Sequence, residues 1–131
     1  MIFALGSPFT GWLAIALVAL AAIVAVILRR LRHTPSLVRR MRPHYILGYA
    51  ALALAALHAY FAMGSMHGAD SGGIWAATGA IFALGAQTFV GASLQDPGAY
   101  RRSLRAWHLG ILATLALLLV WHVTANGVLG R

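Results

Sequence analysis

The sequence predicts an all-α membrane protein, a single domain built as a four-transmembrane-helix bundle running up, down, up and down. Three observations carry this. The chain has 131 residues, 61% of them hydrophobic and only 9% charged, more apolar surface than a soluble domain of this size can bury. Four apolar runs are each long enough to cross a hydrocarbon core of about 30 Å at 1.5 Å per helical residue. The connections between them are short and rich in turn residues.

Taken in order, the spans are Thr10 to Leu28, His44 to Met63, Ile74 to Leu94 and Trp107 to Thr124. The first resembles a signal peptide only superficially. It lacks a basic n-region, its apolar run is long, and it ends in Arg rather than at a small-residue cleavage site, so it is expected to be a retained helix. Pro35 and Pro43 mark the first loop, Gly64, Gly68, Gly72 and Gly73 the second, and Asp96, Pro97 and Gly98 the third. Trp12, Trp75, Trp107 and Trp121 stand near span ends, as an interfacial aromatic belt requires.

Ten Arg, no Lys and two acidic residues give a net charge of +8. In a soluble protein this would suggest nucleic acid, but no basic face is interleaved with exposed aromatics, and nucleic acid is excluded as a partner. The Arg mark topology instead. Arg29, Arg30, Arg32, Arg39, Arg40 and Arg42 fill the first loop and Arg101, Arg102 and Arg105 the third, whereas the second holds only Asp70. By the positive-inside rule these Arg-rich loops are cytoplasmic and both termini lie outside, in what is expected to be a prokaryotic inner membrane. The second and fourth spans then run parallel.

Without Cys the chain has no disulfide, iron–sulfur cluster or covalent c-type haem, and any metal chemistry falls to His. Four of the six His form two pairs of identical spacing, His44 with His58 on the second span and His108 with His122 on the fourth. Fourteen residues turn a helix through about 1400°, some 40° short of four turns, so each pair shares a face and is separated by roughly 21 Å. A lone His in a membrane helix is more often a packing residue than a ligand. Four in register across two parallel helices supply something more specific: facing imidazoles at two heights, which is what two flat macrocycles need for axial ligation. The expected sites are His44 with His108 and His58 with His122, each holding one haem b between the second and fourth helices. Gly48, Ala51 and Ala55 line the first His stripe with small side chains, and Leu112, Leu115 and Leu119 line the second as an apolar spacer. Divalent-metal and proton-pathway readings lack a carboxylate within any span, and zinc would want ligands clustered in one place.

The segments HYILGYAALALAALH (His44 to His58) and HLGILATLALLLVWH (His108 to His122) resemble the di-haem four-helix core of respiratory cytochrome b and related b-type membrane cytochromes. The resemblance spans nearly the whole chain, and its specific part is the four His. It implies two non-covalent haem b groups and electron transfer across the membrane, often linked to a quinone pool. The sequence has four spans and no PEWY motif, so the quinol-oxidation site of respiratory cytochrome b does not carry over.

Arg42 and Arg105 flank the inner ligands and are candidates for pairing with haem propionates, although lipid headgroups would hold them equally well. On the outer side Ser65, His67, Trp75 and Asn126 are weaker candidates. Gln87 is the most polar side chain well inside the third span, suited to a haem edge, a quinone carbonyl or another helix. Gly79, Gly85 and Gly91 accompany it, and His33 and His67 fall in loops. The expected function is a transmembrane electron conduit, in contact with lipid and working with redox partner subunits and a quinone. Two alternatives are a self-sufficient oxidoreductase acting between quinone and ferric iron or superoxide, and a non-redox assembly subunit whose His only pack.

Overall fold

The computed structural model describes residues 2–30, 37–63, 71–95 and 100–126, with the backbone alone for 2–7, 37 and 38. Among these residues the protein is helical throughout: α1 (Ile2–Arg30), α2 (Leu37–Arg40), α3 (Arg42–Met63), α4 (Ser71–Ser93) and α5 (Arg101–Ala125). All but the one-turn α2 are long and apolar enough to cross a membrane.

Each long helix starts before the apolar span expected from the sequence. Hydropathy registers the thickness of the hydrocarbon, whereas a helix ends where its backbone groups reach water or another partner. A helix the length of α5, 25 residues, is about 37 Å long against a core of about 30 Å. Its first turns therefore carry Arg101, Arg102 and Arg105, which the sequence placed in a loop. Gly72 and Gly73, expected in the second loop, belong to the first turn of α4, and Pro43 to that of α3, where a missing N–H is harmless. Ser65, Asp70, Asp96, Pro35, Pro97, Gly64, Gly68, Gly98, His33 and His67 lie outside the described residues.

The chain divides into two compact units, Met1–Ser65 and Met66–Arg131. In the first, α1 packs on α3, and in the second, α4 packs on α5. Both hairpins are antiparallel, because early residues of one helix meet late residues of the next: Gly11 faces His58 while Ala21 meets His44, and Gly73 meets Asn126 while Gly91 faces His108. Small residues form the seams. Thr10, Ala14, Ala21 and Ala25 are buried on α1, Ala51 on α3, and Gly73, Ala76, Ala80, Leu84 and Gly91 on α4. In lipid there is no hydrophobic gain from joining two apolar helices, so close van der Waals approach must hold them, and small side chains permit it.

The opposite faces are apolar and open. Trp75, Phe82 and Phe89 follow one another at seven-residue steps along α4, and each is 74% exposed. Such a surface aggregates in water and is at rest against acyl chains. Polar hydroxyls on these helices are satisfied locally: Thr78, Thr88, Ser93, Thr114 and Thr124 each donate to the carbonyl four residues earlier, as lipid exposure demands.

Candidate histidine site

The four span histidines stand on the seams of their own hairpins. On α3 the seven-residue stripe His44, Ala51, His58 has a fully buried middle member, and on α5 the stripe His108, Leu115, His122 repeats the arrangement, with Leu115 1% exposed. Seven residues turn a helix through about 700°, so all three members of a stripe share one face. Packing fixes the centre of each stripe and leaves a half-buried His at either end. Ala51 and Leu115 are thus packing residues within each unit, which is a different placement from the macrocycle room and cofactor spacer expected of them. Gly48 and Gly85 have open space where a side chain would begin.

His44 is anchored by α1. Its Nδ1 lies 2.9 Å from the carbonyl oxygen of Ala21, an acceptor only, so Nδ1 carries the proton and donates it. The lone pair is then on Nε2. A neutral imidazole whose Nδ1–H is tied to a backbone carbonyl is the form in which His commonly ligates a metal, with ring orientation and tautomer set from behind.

In the second hairpin His122 is held the same way by α4. Its Nδ1 is 2.9 Å from the carbonyl oxygen of Gly73 and 3.1 Å from Nδ2 of Asn126. One nitrogen cannot both donate and accept in the ring plane. A lone pair facing the Gly73 carbonyl would be repelled, so Nδ1–H donates to Gly73, and the Asn126 amide instead donates to the His122 carbonyl at 2.8 Å. The amide of Asn126 lies flat over Gly73, where an added Cβ would come within 2.5 Å of Nδ2. Asn126→Ala removes the hydrogen bond to the His122 carbonyl at the end of α5 and is expected to lower thermal stability in detergent by about 1 kcal/mol, and an unchanged melting temperature would deny the contact any weight.

His58 and His108 are received by glycines. A Cβ at Gly11 would sit 2.9 Å from Cε1 and 3.0 Å from Nδ1 of His58, and one at Gly91 would sit 3.3 Å from Cε1 of His108. His108 has a further partner, because the Gln87 amide nitrogen lies 3.2 Å from its Nε2. The amide donates, so the Nε2 lone pair of His108 is engaged from within the hairpin.

Arg42 and Arg105 are exposed at the same helix ends as His44 and His108. Sequence reasoning singled out the four His but not their supports: Ala21, Gly11, Gly73 and the pairing of Gln87 with His108 have no signature until helix registers are known. Gly91 was noted only as accompanying Gln87 on the third span, and Gly79 receives Leu118. Among the described residues, no three His, Asp or Glu converge as a tetrahedral metal centre requires. Axial ligation needs only two. Comparison with protein families, characterised proteins and solved structures finds no match for the chain.

Proposed function

We propose that the protein is a di-haem b-type cytochrome of a prokaryotic inner membrane, an up-down-up-down bundle that moves electrons across the bilayer as a subunit of a larger redox complex linked to a quinone pool. The observation that carries this reading is the repeated support of four half-buried His: two have Nδ1 on a neighbouring helix carbonyl and two lie over a glycine. Packing alone would be satisfied by Leu at those positions. Ionisable side chains in the hydrocarbon region are costly, and matched pairs of them are retained for chemistry.

In this reading His44 with His108 and His58 with His122 would hold the two haem groups. The haems would supply reversible one-electron transfer there. Ala21 and Gly73 fix ring orientation, Gly11 and Gly91 give the imidazoles room, and Arg42 and Arg105 offer guanidinium donors to the inner propionates. The open apolar faces contact lipid and partner helices.

The direct test is the oxidised and dithionite-reduced absorption spectrum of detergent-purified protein. A low-spin b-type spectrum supports the reading, and a colourless protein after haem-replete expression overturns it.

Orientation has its own test, made clean by the lack of native Cys. Ser71 and Ser103 are exposed at opposite ends of the second hairpin. With the Arg-rich ends cytoplasmic, Ser71→Cys is expected to react with a membrane-impermeant maleimide on intact cells and Ser103→Cys only after lysis. The reverse pattern would invert the topology.

A further inference from the structure

The positive-inside rule asks only that Arg gather on one side of the membrane, not where on a helix they stand. Arg29 and Arg30 occupy the last turn of α1, where the helix dipole favours a cation. Arg101 and Arg102 open α5, whose first turn holds no acidic residue and whose start at Tyr100 has no side-chain cap, and Arg105 follows Arg101 at the four-residue step. There the dipole and like-charge repulsion both oppose them. Arg101 adds a third cost, because its Nε is buried with no hydrogen-bond partner among the described residues. The third loop has one carboxylate, Asp96, and pairing it with one of the three Arg would leave two uncompensated.

A single phosphate group would relieve all three costs, and the rest of the helix says what carries it. Eighteen residues turn a helix through about 1800°, five full turns, so Val120 stands in line with Arg102 about 27 Å along α5, and Leu109 lies within about 20° of that line. Leu109 is 56% and Val120 63% exposed, and Trp107, a residue type that settles at the interface, is 65% exposed. The open face that begins in guanidinium groups continues as bare hydrocarbon, which suits an anion with acyl chains attached. We propose that the start of α5 binds an anionic phospholipid, with Arg101 and Arg102 on its phosphate and its chains along the face of Leu109 and Val120. The site lies on one helix and does not depend on the di-haem reading.

The test uses the full chain in mixed micelles of phosphatidylglycerol and phosphatidylcholine in equal amounts, with both lipids counted per chain by mass spectrometry after gel filtration. Wild-type protein is expected to retain phosphatidylglycerol in preference. Arg101→Gln with Arg102→Gln should lower that preference at least about 5-fold, the worth of one interfacial Arg near anionic lipid. Arg29→Gln with Arg30→Gln removes the same charge elsewhere and should lower it far less, and equal losses would replace the site with a diffuse basic surface and overturn the proposal. Arg101→Lys with Arg102→Lys keeps the charge that directs insertion but loses the bidentate fork, so it repeats the comparison if the Gln pair fails to insert, with a loss of about 2-fold. Inorganic phosphate that displaces the lipid at an ionic strength where chloride does not would give the site to free phosphate and overturn the lipid assignment, whereas undiminished retention supports it. No preference in wild-type protein, or one unchanged in the α5 variants, would overturn it as well.

Discussion

Purified from haem-replete cells, the protein is expected to contain two haem b per chain by pyridine haemochrome assay, and His58→Ala or His122→Ala about one. The two variants should be equivalent in stoichiometry, because removing either of the two His that would hold one haem would cost the protein most of its hold on that haem. They also make the pairing testable. If His58 and His122 serve one haem, the double variant retains the same single haem as either alone. Were they to serve different haems, the double variant would carry none, and the axial assignment would fall while the haem content stood. Loss of colour in neither single variant would leave those imidazoles as packing groups.

Gly11→Ala should have nearly the same consequence as His58→Ala without touching a ligand. The added methyl would stand 2.9 Å from Cε1 and 3.0 Å from Nδ1 of His58, closer than unbonded carbon atoms tolerate, and the seam of small residues between α1 and α3 leaves the backbone little freedom to retreat. The ring must rotate away from α1. Displacing a metal-bound His from its support typically reduces affinity about 10- to 100-fold, so the outer haem should be lost on dilution while the inner one remains. The control is Gly48→Ala, where an added Cβ meets nothing within 4 Å. It removes a glycine from a membrane helix at the same chemical level and should leave both haems in place. Equal loss in the two variants would mean that glycine content, not the contact with His58, governs the result.

Much of the fold was legible because it is written in composition. Four runs without a charge at their centres admit one interpretation, and the turn residues between them divide the chain correctly. What the pattern blurred were the ends: Arg101 to Arg105 and Gly72 with Gly73 are helical, since hydropathy detects hydrocarbon and not hydrogen bonding. α2, four residues long, carries too few positions for any period to register. The His pairs were visible as a spacing, because fourteen residues is a property of one helix. Their supports were not, because each depends on the register between two helices, and sliding α4 by one residue along α5 would bring a different atom to His108. Gln87 could be noticed for its polarity alone. Gly11 carried no signal of any kind, standing in a span where glycine is unremarked, and only its distance from an imidazole distinguishes it.

Each imidazole has support within the hairpin to which it belongs. That has a consequence for biogenesis. Membrane helices enter the bilayer in order of synthesis, and contacts close in sequence form early. The first hairpin can settle with both rings oriented while the second is still leaving the ribosome.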